Sequence, residues 1–272
     1  MKVIRAIDSD DKIIWGSLLE DGSINKIEGD IFEEYTVSNQ KVNIKKLLAP
    51  VKPTAIYCIG LNYRHHAKES GLDIPEYPVV FMKAPSAVQN PYDPIEIPQK
   101  LCSNQVDYEC ELAVVIKKKC KNIKKSEALD YVLGYTCAND ISARDWQIAK
   151  GGSQWCRGKT FDTFAPIGPS IVFPDEIPDP NNLSIKTILN GNIVQDWKTN
   201  DMIFDVATII EFLSSSTTLL PGTVILTGTP HGVGMACKPP RWLKPGDNIE
   251  VEIEKIGKLF NPVINEKILG KN

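Results

Sequence analysis

Histidine is scarce in this chain: His65, His66 and His231 are the only three in 272 residues. That count excludes a histidine-rich transition-metal centre, so any metal must be held mainly through oxygen. The seven cysteines (58, 102, 110, 120, 137, 156 and 237) are odd in number and scattered, with no C-x-x-C spacing. A disulfide framework and a zinc ribbon are both disfavoured, and most of the thiols are expected to act as small buried hydrophobes. Long apolar runs are missing as well. No segment approaches the ~18 residues of a membrane span, and the opening MKVIRAIDSDDK turns acidic where a secretory signal stays apolar. On that basis the chain is expected to be cytoplasmic. A large excess of one charge is lacking too: the net charge is −3, with 24% charged residues. This balance gives no electrostatic reason for a nucleic-acid or membrane partner. The one basic cluster, KKKCKNIKK at 117–125, reads as a solvated turn after a strand.

What is present is the texture of a strand-rich globular chain, 42% hydrophobic, with no internal repeat or low-complexity tract. Residues 1–52 read as short strands separated by DSDD and EDG, a small N-terminal β domain. From residue 53 to 272 the pattern changes to strands, prolines and long polar loops. AIYCIGLN, PVVFMKAPSAV, ECELAVVI, VLGYTCAND and TVILTG read as strands, and Asn190-Gly191 between alternating runs signals a hairpin. The segment NYRHHAKESG predicts a short helix stopped by Gly71, SEALD a helical turn, and DVATIIEFLSSS an amphipathic helix. Strands outnumber helices without βαβ alternation, so the expected class is mixed and β-rich (α+β), mostly antiparallel, with peripheral helices.

Three clusters carry the chemistry. In VDYECELAVVI, Glu109 and Glu111 are two apart and project to one face of a strand. An exposed edge with two solvated glutamates would explain them; so would a cation held between them, which removes their repulsion. Asp140 also ends an apolar strand, and three carboxylates at strand ends suit a hard cation such as Mg²⁺ or Mn²⁺. In GLNYRHHAKES, His66 and Glu69 share a helix face at i, i+3, either as surface decoration or as the working pair of a lid, while His65 points about 100° away toward solvent. In QWCRGKTFDTFAPIGP, Lys159 sits among aromatics and either snorkels outward or is held by an acid, Asp162 being near in sequence. The glycines of TGTPHGVG match neither a Walker loop nor a dinucleotide fingerprint; a backbone turn approaching a ligand closely suits them better.

FMKAPSA, DYECELAVVI, NDISARDWQ, QWCRGKTFDTFAPIGP and TGTPHGVG, in this order and spacing, resemble the fumarylacetoacetate hydrolase (FAH) superfamily from about residue 54 onward. Residues 1–52 are similar to the small N-terminal domain of many members. DWQ followed by QWCRGKTFDTF, and the tail KPPRWLKPGD, resemble the oxaloacetate tautomerase branch in particular. The resemblance implies a β-roll or sandwich, usually homodimeric, with Mg²⁺ or Mn²⁺ on Glu109, Glu111 and Asp140. It implies catalytic roles for His66, Glu69 and Lys159, and substrate contacts for Lys83, Arg144, Gln147 and Thr229. The implied substrates are 2-oxo or β-diketo acids, handled through a metal-bound enolate. Oxaloacetate keto–enol tautomerisation is the expected reaction, with acylpyruvate or fumarylacetoacetate-type C–C hydrolysis, or oxaloacetate decarboxylation, as alternatives. A metal–dicarboxylate binding protein is the non-enzymatic alternative.

Overall fold

The computed structural model describes residues 1–268. Among them the alternating apolar segments form a twelve-stranded sheet, a five-stranded sheet and a two-stranded ribbon. The main path of the large sheet runs Tyr35–Lys41, Ile24–Gly29, Ile13–Leu18, Lys2–Asp8, Ala165–Val172, Val132–Asn139, Cys110–Ile116, Val224–Leu226, Ile56–Gly60, Val79–Lys83. The smaller sheet runs Asn192–Lys198, Ser184–Leu189, Asn248–Ile253, Gly257–Asn265, Ile95–Ile97.

The strand Cys110–Ile116 is buried at every position, because both of its faces are covered. Leu112, Val114 and Ile116 pack with Ile185, Val251 and Ile253 of the smaller sheet and with Ile209, Ile210 and Leu213 of the helix Val206–Ser214. Ala113 and Val115 face the other way, toward Ile56, Phe81 and Leu226. Removing each large side chain from water stabilises the fold by ~1.5–3 kcal/mol before entropy is charged against it. The result is the expected mixed, β-rich sandwich with peripheral helices.

Local signals in the sequence are realised where they rest on backbone chemistry. Asn190 and Gly191 take φ of 52° and 78° between Ser184–Leu189 and Asn192–Lys198, the positive pair that such a hairpin turn needs. The helix Arg64–Ser70 ends at Gly71, which adopts φ 66° and donates back to Ala67 and Lys68 carbonyls. Asp205 caps Val206–Ser214 by accepting from the Thr208 amide. SEALD lies within a 3-10 helix, Lys125–Tyr131. In the basic cluster Lys117, Lys118 and Lys119 are exposed, while Cys120 turns inward and bridges Leu219.

Residues 1–52 form five strands, and they are hydrogen-bonded into the large sheet through Lys2↔Val172 and Val3↔Ile171. Among the described residues no helix is long and apolar enough to cross a membrane. All seven cysteines are unpaired; Cys58, Cys110, Cys120 and Cys137 are buried, whereas Cys102 is exposed.

Candidate active site

Antiparallel register assembles the acids. Cys110 pairs with Asn139, so Glu109 and Glu111 on one strand flank the end of the other, where Asp140 follows. The Asp140 amide donates to the Glu109 carbonyl at 2.9 Å, and the Glu109 amide to Asn139 Oδ1 at 3.1 Å. One carboxylate oxygen from each of Glu109, Glu111 and Asp140 then lies within 4.8 Å of the others, and all three residues are buried. The exposed-edge reading of the two glutamates is thereby set aside: Glu111 is 2% exposed.

Cations crowd this cluster. Lys159 Nζ reaches Glu109 Oε2 at 2.7 Å and Asp140 Oδ2 at 2.8 Å. The acids that hold Lys159 are therefore these two, brought by the sheet, and not Asp162, which is exposed. Lys159 ends a four-residue helix, Cys156–Lys159, seated against the preceding π-helical turn Asp145–Lys150. Gly158 permits that seating, since a Cβ there would collide with the backbone of Ala143 and Gln147. Arg144 Nη2 lies 2.7 Å from Glu109 Oε1 and 2.8 Å from Asp107 Oδ2, and its Nη1 donates to Gln147 Oε1 at 3.0 Å.

Lys83, expected to face substrate, is fully buried behind Asp140. Its Nζ donates to the carbonyls of Ile141, Lys159 and Phe164 at 2.9, 2.6 and 2.8 Å, and sits 2.6 Å from Asp140 Oδ1 in poor alignment for a hydrogen bond. The strand Val79–Lys83 delivers it to the underside of the cluster, away from the cavity wall.

Titration follows the packing. Burial would raise Glu109, but Arg144 and Lys159 outweigh it and hold the carboxyl well below its usual range. Glu111 makes no ion pair with a described residue: burial, then Asp140 and Glu109 beside it, push it well above the usual range, and Lys159 and the Gly228 amide offset this only in part. Its Oε2 accepts only the Gly228 amide, at 2.7 Å, among the described residues. Burial opposes the charge on Lys159, yet Asp140 and Glu109 raise its pKa. Four buried carboxylates, Asp107 included, thus face the three cations Lys83, Arg144 and Lys159. The oxygen-only donor set and the incompletely compensated Glu111 fit a hard divalent cation.

Above the acids opens a cavity of ≈590 Å³ lined by His66, Glu69, Glu109, Glu111, Arg144, Gln147, Lys159 and Thr229, with Phe81, Trp155, Leu61, Leu72 and Ile148 as its apolar wall. Of the ten expected site residues, Lys83 and Asp140 are absent from this lining; Asp140 lies beneath, with no exposed surface. His66 Nδ1 is 3.2 Å from Glu69 Oε2, which leaves Nε2 for the cavity. His65 is exposed, as expected, and is tethered on one side. Its Nδ1 meets Asp201 Oδ1 at 2.9 Å, its backbone amide donates to the same carboxylate, and its ring packs 4.5 Å from that of Trp197.

The stretch TGTPHGVG performs a task that sequence did not disclose. Gly228, Gly232 and Gly234 amides donate to Glu111, Glu69 and Asp107 respectively, so the close approach is to the protein's own acids. Asp107 was also missed. It is fully buried, holds Arg144, and accepts from the Gly234 and Met235 amides at 2.7 and 3.0 Å. The period-two alternation that singled out Glu109 and Glu111 extends to Asp107, so the signal was available. The Trp155–Phe81 edge contact at 5.6 Å had none.

The family model described as Fumarylacetoacetate (FAA) hydrolase C-terminal matches residues 55–264. The chain belongs to the fumarylacetoacetate hydrolase family. An oxaloacetate tautomerase from Xenopus laevis, named as mitochondrial, is 51% identical over 80% of this chain and 68% of its own length. A human oxaloacetate tautomerase, also named as mitochondrial, is 48% identical over 80% and 69%. The crystal structure of a 5-carboxymethyl-2-hydroxymuconate delta-isomerase from Mycobacterium smegmatis aligns with TM-score 0.85 and 34% identity, covering 98% of this chain and 100% of that one. With relatives of these activities, the chain is an enzyme, and the binding-protein alternative falls. The cytoplasmic expectation is corrected by the same relatives, whose names place them in mitochondria. The composition of a folded chain excludes few compartments, because organelle addresses are read by receptors rather than set by bulk hydropathy.

Proposed function

We propose that this enzyme interconverts the keto and enol forms of oxaloacetate, with Mg²⁺ or Mn²⁺ held by Glu109, Glu111 and Asp140. The observation that carries the proposal is the buried carboxylate triad at the floor of a cavity whose wall bears the His66–Glu69 pair; the names of the frog and human relatives supply the substrate. A divalent cation held there would supply fixed positive charge that favours the negative charge developing on a bound 2-oxo acid. Glu69 accepts from His66 Nδ1 and so orients the ring, leaving Nε2 free to take the proton from C3 of the keto form. The C3–H electron pair becomes the carbon–carbon double bond and the keto oxygen takes a proton from solvent, which gives the enol. In the reverse direction the enol oxygen gives its proton to solvent and the same nitrogen returns one to C3. Lys159 and Arg144 fix the charge and position of Glu109, and Gln147 and Thr229 complete the polar wall near the reacting carbons.

The size of the cavity and its apolar wall of Phe81, Trp155 and Leu61 favour a second reading, hydrolysis of an acylpyruvate with a larger acyl group. A homodimer is part of the proposal as well. The terminal strand Val79–Lys83 leaves Val80 and Met82 each 40% exposed, and Leu72, Ile74 and Tyr77 just before it are exposed too. Light scattering of the purified protein tests it, and a monomer rejects it.

The deciding assay follows ultraviolet loss of enol-oxaloacetate with Mg²⁺, with and without EDTA, while pyruvate is measured in the same cuvette. Fast, EDTA-sensitive enol loss without pyruvate is the expected result. Pyruvate at the same rate would replace tautomerisation by decarboxylation. No change with oxaloacetate, but cleavage of an acylpyruvate, would move the assignment to the hydrolase.

A further inference from the structure

The cavity wall carries three Lys or Arg residues: Arg144, Lys159 and Lys238. The first two are committed to protein carboxylates at 2.7–2.8 Å, Arg144 to Asp107 and Glu109, Lys159 to Glu109 and Asp140. Lys238 is exposed at the rim and makes no ion pair with another described residue. Resting on the reading above, we infer that Lys238 is the specificity residue that recognises a second carboxylate on the substrate, selecting 2-oxo dicarboxylates over 2-oxo acids with an apolar tail.

The geometry of the rim supports this role. Lys238 lies on a loop fixed at both ends: the Gly234 and Met235 amides donate to buried Asp107, and the Arg241 amide donates to the Gly234 carbonyl at 2.8 Å. Asp107 is also the partner of Arg144, so the rim loop is tied to the floor of the site through one carboxylate. A cavity of ≈590 Å³ is about 10 Å across if taken as a sphere. A four-carbon dicarboxylate spans roughly 6 Å, and a lysine side chain reaches about as far. A substrate with one carboxylate at the acids on the floor therefore presents its other end within range of Nζ. Leu61, Leu72, Ile148, Trp155 and Pro240 of the same lining are apolar and cannot offset the desolvation of a carboxylate, and its neutral polar side chains, such as Ser70, carry no charge to pair with one.

Titration calorimetry in Mg²⁺, with ligand solutions already at keto–enol equilibrium, tests the inference through binding constants rather than rates. Its ligands are oxaloacetate and 2-oxobutanoate, which has a methyl group in place of the far carboxylate. Wild type is expected to favour oxaloacetate. Lys238→Met, which keeps most of the stem, is expected to lower that preference about fivefold by weakening oxaloacetate alone, the scale of one partly solvated ion pair. Lys238→Arg is expected to retain it. Unchanged preference in Lys238→Met, or equal weakening of both ligands, overturns the inference, as does wild type that binds the two alike. The enol-loss assay fails separately: oxaloacetate bound selectively through Lys238 but not tautomerised rejects the proposed activity and leaves the specificity role standing.

Discussion

Replacing Lys159 by methionine removes an ammonium that lies 2.7 Å from Glu109 and 2.8 Å from Asp140 in a site where its own side chain is 2% exposed. Arg144 remains for Glu109 and Lys83 for Asp140, yet Glu111 has neither, so four carboxylates would then face two cations. Stranding one side of a buried pair costs about 3–5 kcal/mol. For a chain of this length each kcal/mol moves the melting temperature by ~2 °C, so a fall of about 6–10 °C in EDTA is expected. Glu109 sets the pH dependence. Its folded pKa is held below the unfolded value, partly by Lys159. That stabilisation is fully present above pH ~4.3 and is lost as pH falls through the lower, folded value, so the deficit of the variant persists at pH 7 and shrinks only in acid. A divalent cation should replace the missing charge. At about a hundred times its Kd, Mg²⁺ adds ~2.7 kcal/mol to any form that binds it, and Lys159→Met should gain more than wild type. Scanning calorimetry of both proteins, in EDTA and over a Mg²⁺ series, measures this. Equal melting temperatures in EDTA, or a Mg²⁺ gain no larger than that of wild type, would refute the charge reasoning.

Other expectations follow from the same geometry. His66→Ala should slow enol loss by about 10²–10⁴-fold while leaving Mg²⁺ binding intact; a rate within twofold of wild type removes His66 as the base. Glu111→Gln should weaken Mg²⁺ binding at least about tenfold, yet melt no lower than wild type in EDTA, because the carboxylate it removes is one whose ionised form burial and its neighbours disfavour. Calorimetric Mg²⁺ titration together with a melt in EDTA checks both halves. Glu69 titrates below its usual range: burial opposes this, but His66 and the Gly232 amide prevail. Its contact with Gly232 should therefore hold above pH ~4.3 and be lost as pH falls through its folded pKa. The stability difference between wild type and Glu69→Gln should close in acid; a constant difference from pH 3 to 7 would count against the Glu69–Gly232 contact.

The sequence alone determined those features whose cause is local. Period-two alternation placed Glu109 and Glu111 on one face, glycine and asparagine chemistry marked the turn at 190–191 and the helix stop at Gly71, and the scarcity of histidine left oxygen as the metal donor. The count of strand patterns without βαβ alternation supplied the β-rich class, and serial motifs resembling one family supplied the enzyme assignment. Tertiary structure alone decided what depends on chain segments far apart. The register Cys110↔Asn139 brings Asp140 to the glutamates, and the strand Val79–Lys83 carries Lys83 beneath Asp140 rather than to the cavity. The helix Cys156–Lys159 gives Lys159 to acids some 20 and 50 residues away instead of to its neighbour Asp162. Strand pairing and buried charge pairing are settled by which partners share the low-dielectric interior, and no periodicity within one segment encodes the identity of the other. For that reason the paired glutamates were legible from their own strand, whereas the counter-charges on Lys83 and Lys159, the Asp107 clamp and the rim position of Lys238 emerged only when the sheet was assembled.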